Sequence, residues 1–363
     1  MENNLITFGE IMTRFSPSNN LRIGQSMPGN LDITFAGCEA SVAVSYSKLG
    51  GSSFFVTALP KNDLSHSCIR DLKSHSVNTN HIVFSQEGRL GAYYVEKGSN
   101  QRPSKVTYDR SGSAISLLNP DDYPWETILK DKTWLHISGI TPALSKRSFD
   151  ATLLLVKKAK NLGMKISCDL NFRSKLWQWD KKYKPKELAR IKMPKILKCV
   201  DTLIANEQDA EDVLEIEILN TDFDKGVLNV NVYPKIAKKI TNKFPNLSSI
   251  AITLRESISA NHNRWGAMLF DCNEYTNYFS PLINGEYVPF EIENIVDRLG
   301  AGDSFAAGLI FSLNHLKTDN KTALDFAVAA SCLAHSIEGD YNISTIGEVN
   351  ELINGFTSGR VQR

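Results

Sequence analysis

Val296-Asp297-Arg298-Leu299-Gly300-Ala301-Gly302-Asp303-Ser304-Phe305-Ala306-Ala307-Gly308 is the stretch on which the fold turns. A bend of small residues runs into an apolar helix carrying Phe305, Leu309, Phe311 and Leu313. With no side chains in the way, the backbone N–H groups of Gly300, Ala301 and Gly302 can face one point. The helix N-terminus adds partial positive charge, so an anion site arises without a lysine. An aspartate beside such a site would be repelled by the anion. Its presence makes sense if Asp303 takes the proton of a hydroxyl that attacks a phosphorus held by those amides. Read alone, Asp303 is also a favoured helix cap. No GxxxxGK[ST] occurs in the 363 residues, which excludes a Walker-type phosphate loop.

Elsewhere in the chain, short apolar runs alternate with helical patterns. Leu5–Phe8, Ser53–Leu59, Thr133–Ile137, Lys165–Asp169, Thr202–Ala205 and Ile250–Leu254 read as strands covered on both faces. Helices are expected over Glu39–Lys48, Leu64–Ser74, Ser145–Asn161, Ala301–His315 and Lys321–Ile337. This succession predicts an α/β fold with a parallel sheet between helices. Residues 12–35 and 91–110 break the rhythm. They alternate polar and apolar positions and predict antiparallel strands forming a small sheet outside the main one, which reads as a lid. Residues 216–232 and 255–264 read as long polar loops.

Lys+Arg number 41 and Asp+Glu 40, so the net charge of +1 gives no bulk field for nucleic acid or an anionic membrane. Hydrophobic residues at 42% and charged ones at 22% exclude a disordered chain. No secretory leader or membrane span is expected. Cys38, Cys68, Cys168, Cys199, Cys272 and Cys332 include no CxxC pair or zinc spacing, so reduced thiols in a cytoplasmic protein are expected. His136, between Leu135 and Ile137, reads as a core histidine.

Asp297–Gly308 resembles the C-terminal signature of the ribokinase-like (PfkB) sugar kinase family. Ala36-Gly37-Cys38-Glu39-Ala40-Ser41-Val42-Ala43-Val44 with Lys48-Leu49-Gly50 is similar to that family's first glycine motif, with Ser41 where Asn is common. The resemblance covers about residues 5–345. It implies a ribokinase-like fold: a mostly parallel central sheet with helices on both faces and a small antiparallel β lid. The core would take 1–11, 36–90 and 111–363, and the lid 12–35 and 91–110.

Three further stretches resemble one branch of the family, the kinases of 2-keto-3-deoxygluconate. They are 91–96 with 101–110 (GAYYVE and QRPSKVTYDR), 169–177 (DLNFRSKLW) and 339–342 (GDYN). That resemblance implies ATP-dependent phosphorylation of the sugar acid's 6-hydroxyl, with Asp303 as base and Gly300, Ala301 and Gly302 holding the phosphoryl group. It implies substrate contacts from Gly37, Tyr93, Tyr108, Arg110 and Arg173; arginine suits a carboxylate because it offers two parallel donors. On residues alone, Tyr93 is also ordinary sheet packing, and Arg110 and Arg173 are also surface ion-pair partners. Asn206-Glu207-Gln208-Asp209 resembles the NxxE element near Mg²⁺, with Asp209 in the fourth place, acting through water, and Glu207 as an alternative. Nucleotide contacts would come from Asn206, Thr253, Arg255 and Asn342. The expected partners are ATP, Mg²⁺ and a small sugar acid, without nucleic acid or membrane, in a homo-oligomer. A neutral sugar such as fructose, another keto-deoxy acid, or a non-catalytic sugar-acid binder are the alternatives.

Overall fold

Nine strands form the largest sheet of the computed structural model, which describes residues 3–216 and 229–355. Across it lie Thr276–Ser280, Asn263–Asp271, Ser249–Ser257, Thr202–Ala205, Lys165–Asp169, Trp134–Ser138, Asn4–Phe8 and Ser52–Val56. Phe290–Ile292 also pairs with Asn263–Asp271. From Ser249–Ser257 to Ser52–Val56 every pairing is parallel, and the remainder are antiparallel.

The apolar runs become strands because successive side chains enter different cores. Leu5, Trp134, Ile204 and Ala251 pack on one face against helices Cys38–Lys48, Ala301–Ile310 and Asn320–Ala334. Ile6, Leu135, Leu203 and Ile250 pack on the other against Lys146–Asn161, Pro185–Leu197 and Tyr233–Lys243. Asn62 and Ser145, at the starts of Asp63–Ser74 and Lys146–Asn161, each accept a first-turn N–H and fix where those helices begin. Leu135 is fully buried, so Leu135→Ala would cost roughly 2–5 kcal/mol.

A separate four-stranded sheet runs Asp32–Ala36, Met12–Ser16, Gly91–Glu96, Lys105–Asp109. Its outer pairings are antiparallel, as the alternation suggested, but Met12–Ser16 and Gly91–Glu96 pair in parallel, Met12 opposite Gly91. The two segments lie far apart in the chain, so no hairpin turn dictates their relative direction. Gly91, Tyr93 and Val95 face inward, and Tyr93 and Val95 join Met12 and Ala36 in a small core that touches Leu299 of the glycine bend.

Residues 255–264 form the end of a hairpin instead of a long loop. Ser249–Ser257 continues until Asn263–Asp271 returns beside it, with Arg255 opposite Trp265 and Glu256 opposite Arg264. The polarity that suggested a loop belongs to a ladder with a solvent face, where Glu256 and Arg264 form a cross-strand ion pair at 3.3 Å. The run Ser53–Leu59 divides into Ser52–Val56 in the main sheet and Ala58–Pro60 in a two-stranded sheet with Val83–Ser85. Helix Ala301–Ile310 widens into a π-turn over Phe311–Leu316. Of the other region read as loop, 217–228 lie outside the described residues, and Val230–Val232 form a 3₁₀ turn. Among the described residues no helix is long and apolar enough to cross a membrane.

Candidate active site

The parallel strands all end on one side of the sheet, and the residues just past those ends surround a cavity of about 350 Å³. Glu10 follows Asn4–Phe8, Ile140 follows Trp134–Ser138, Asn171 and Arg173 follow Lys165–Asp169, and Asn206 and Glu207 follow Thr202–Ala205. The small sheet supplies Met12, Tyr93 and Tyr108, and the glycine bend supplies Arg298 to Asp303.

Gly300 caps helix Ala301–Ile310 with φ +79°, and an added Cβ would lie 2.1 Å from the Asp340 carbonyl oxygen. Both conformation and space therefore require glycine here. Asp297 shapes the bend, since its Oδ1 accepts from the Arg298 and Leu299 amides at 2.8 and 3.2 Å. The helix's first N–H groups have no acceptor one turn back, and Gly300, Ala301 and Gly302 line the cavity. Opposite, a Cβ on Gly37 would sit 2.0 Å from the Glu10 carbonyl oxygen, so this glycine allows two backbones to touch at the cavity wall.

Asp303 lies half-buried on the lining. Burial, together with the carboxylates of Asp169, Asp340 and Glu39, holds its carboxyl well above the ordinary range, against the pull of Arg173. Asp169 is pushed up to about 7, first by burial and then by Asp209. Glu39 is raised by burial, although its Oε1 accepts from the Ser138 hydroxyl at 2.7 Å and the Thr141 hydroxyl at 2.9 Å. An acid held high in this way is a strong proton acceptor once ionised.

Four arginines line the same space in different states of engagement. Arg110 is ion-paired with Glu10 and lies 5.3 Å from the Tyr108 ring centre. Arg298 donates to the carbonyls of Ser259 and Ala260 at 2.9 and 3.1 Å, clamping the hairpin tip to the glycine bend. Among the described residues Arg173 and Arg255 make no salt bridge, so their charge faces the cavity. Thr253 and Arg255, two apart on one strand, share a face.

Thirteen of the fourteen residues singled out from sequence line this one cavity; Asn342 does not. Its amide donates to Ala330 O at 2.9 Å and its Oδ1 accepts from Ser344 N at 2.9 Å, so the side chain secures a turn. Asp209 reaches the cavity, but its oxygens accept from Phe172 N at 3.0 Å and Asn206 N at 3.4 Å. It ties the arginine loop to the helix start, leaving Glu207 as the more open acid there. Tyr93 is buried and its hydroxyl donates to Asp340 Oδ2 at 2.9 Å. His136 is a core residue, its Nδ1 2.9 Å from Ser167 Oγ, with burial lowering it to about 3.

Glu10, Asp340, Asn171 and Arg298 line the cavity and were not among the residues singled out. Glu10 carried a readable signal, since it directly follows a strand end on the ligand-binding edge. Among the described residues no group of three or more His, Cys, Asp or Glu could hold a metal ion by itself. The donors present, Asn206 and Glu207, fit a hydrated Mg²⁺ whose remaining ligands come from phosphate and water.

Comparison with known proteins points to one family. Residues 2–247 and 278–346 match the family described as pfkB family carbohydrate kinase. The crystal structure of 2-dehydro-3-deoxygluconokinase from Thermotoga maritima superposes with a TM-score of 0.87 at 41% identity, covering 97% of this chain and 99% of that one. The 2-dehydro-3-deoxygalactonokinase of Haloferax volcanii is 31% identical over 355 residues, 98% of each chain. Fructokinase-2 of Solanum lycopersicum is 26% identical over 88% of this chain and 84% of its own length.

Proposed function

The chain belongs to the pfkB family of carbohydrate kinases, and from that premise we propose that it transfers the γ-phosphoryl group of ATP to the 6-hydroxyl of 2-keto-3-deoxygluconate, giving 2-keto-3-deoxy-6-phosphogluconate. The observation that carries the substrate class is Arg173, a cation without a carboxylate partner among the described residues, in the cavity that also holds Asp303. Asp169, Asp209 and Asp303 lie within the field of Arg173 but none is hydrogen-bonded to it, so its paired donors are open to an aldonic acid's carboxylate, which a neutral sugar lacks.

In this reading the sugar acid lies between the small sheet and the glycine bend. Arg173 receives its carboxylate, Gly37 lets it approach the backbone, and Tyr108 and Arg110 close over it. Asp303 accepts the proton of the 6-hydroxyl as that oxygen attacks the γ-phosphorus. The Gly300–Gly302 amides stabilise charge on the transferring group, and Thr253 and Arg255 meet the nucleotide phosphates. Asn206 and Glu207 would hold hydrated Mg²⁺, with Asp209 supporting them, and the ion would supply neutralisation of phosphate charge. The small sheet acts as a lid that excludes water. Its edge strands leave Ile33 61% exposed, and pairing of two copies there is the proposed assembly, to be read by sedimentation.

An ADP-release assay with 2-keto-3-deoxygluconate, its galactonate epimer, fructose and ribose side by side tests the reading. Turnover of the keto-deoxy acids with the gluconate favoured supports it. Faster turnover of fructose or ribose overturns the substrate, and sugar-acid binding without ADP overturns the enzyme.

A further inference from the structure

Arg14 is 2% exposed, a rare state for an arginine, and its position is informative. It stands on Met12–Ser16 of the small sheet and reaches two acids at the glycine bend. One terminal nitrogen pairs with Asp297 and the other with Asp340. Burial alone would lower its proton affinity, but these carboxylates more than offset that and hold it charged.

Each acid has a second task. Asp297 Oδ1 holds the amides that lead into Gly300, and its Oδ2 also accepts from Gly339 N at 3.3 Å. Asp340 lines the cavity, takes the Tyr93 hydroxyl on Oδ2, and presses its backbone carbonyl on Gly300. We propose that Arg14 is a positioning residue for this phosphoryl transfer: it locks the bend that presents the amides, and it keeps the negative charge of Asp340 from bearing fully on Asp303.

The inference rests on the kinase reading. The charged and titratable groups facing Asp303 are Asp169, Asp340, Glu39, Arg173 and Cys38. Those facing Arg14 are Asp297, Asp340 and Tyr93. Removing the guanidinium leaves buried Asp297 and half-buried Asp340 uncompensated, and the nearer field on Asp303 becomes more negative.

The test compares wild type, Arg14→Met, Arg14→Lys and Arg14→Met combined with Asp340→Asn, all checked for folding by circular dichroism. It uses kcat for 2-keto-3-deoxygluconate across pH and the titration of Asp303 in ligand-free protein by carboxyl-carbon NMR. The Asp303 signal is assigned by its loss in Asp303→Asn. Arg14→Met should lower kcat about 10–100-fold near neutrality. It should also move the acid limb and the Asp303 titration up by about one pH unit, with activity recovering at high pH. Arg14→Lys should keep the limb near wild type while losing about 10-fold in kcat, because an ammonium cannot hold both acids in the forked geometry. The double variant should bring the limb back.

Folded Arg14→Met with wild-type kcat and limb overturns the proposal. So does a loss that is uniform with pH and tracks the folded fraction. If Arg14→Met does not fold, wild-type kcat in Arg14→Lys overturns it; if no variant folds, the role is structural and the proposal also fails. Wild type inactive on the sugar acid overturns the substrate reading alone, since the NMR titration needs no substrate.

Discussion

Gly300→Ala and Gly302→Ala differ by two positions in sequence and should differ sharply in consequence. At Gly300 the backbone has φ +79°, a region that costs an L-residue roughly 1–2 kcal/mol. The new methyl would also lie 2.1 Å from Asp340 O, and reaching ordinary 3.4 Å contact needs a shift of 3.4 − 2.1 = 1.3 Å. That oxygen is backbone, so the bend must move, and with it the amides and Asp303. A displacement of about 1 Å in a reacting geometry typically costs about 10²-fold in rate. At Gly302 an added Cβ meets nothing within 4 Å. That position lies in the first helical turn, where alanine favours the helix by up to about 1 kcal/mol. Denaturant unfolding and ADP release under saturating substrates should show Gly300→Ala losing about 2 kcal/mol or more and about 10²-fold in kcat. Gly302→Ala should keep its stability, and its methyl should raise KM for ATP. Equal destabilisation by the two changes, or wild-type kcat in Gly300→Ala, would show that the bend accepts a side chain at Gly300.

Arg173→Met should raise KM for the sugar acid by about 10–100-fold, the worth of a lost charge-assisted hydrogen bond, with KM for ATP moving much less. A larger effect on ATP would assign this arginine to the nucleotide. Glu10→Gln should raise KM for the acid through misplaced Arg110, and unchanged kinetics would leave that ion pair a packing feature. Asp169, at about 7, and Asp209, at about 6, both bind protons more tightly folded than unfolded, where the ordinary value is about 3.9. Between about pH 4 and 7 folding therefore takes up protons, and this contribution to stability falls as pH rises. Buried His136 and His335, lowered to about 3 and about 4, work the other way, because they bind protons only when unfolded. Scanning calorimetry of ligand-free protein should therefore show Asp169→Asn losing more Tm at pH 6 than at pH 8, relative to wild type. An equal change at the two pH values, or a larger loss at pH 8, would contradict the sign.

The parallel sheet was legible because its strands are apolar on both faces, and Leu5 and Ile6 can feed opposite cores only in such a fold. The glycine bend was legible because Gly300 meets a demand on both φ and space that other residue types fail. The hairpin at 255–264 was hidden because its solvent face carries Glu256 and Arg264, whose polarity matches that of a loop. Arg110 and Tyr93 were found, but not that each is already held, by Glu10 and by Asp340; those partners lie 100 and 247 residues away. Local pattern carries no information on such pairings. The same holds for Arg14, whose partners Asp297 and Asp340 lie 283 and 326 residues away.

In the proposed reaction one carboxylate and one set of amides share a cleft, so that proton removal and phosphoryl capture belong to one event. Asp303→Asn keeps the shape of the side chain and removes its basicity. Measured with 2-keto-3-deoxygluconate and ATP, it should lower kcat by about 10²–10⁴-fold while both KM values stay near wild type. Retention of wild-type kcat would show that proton removal does not run through Asp303.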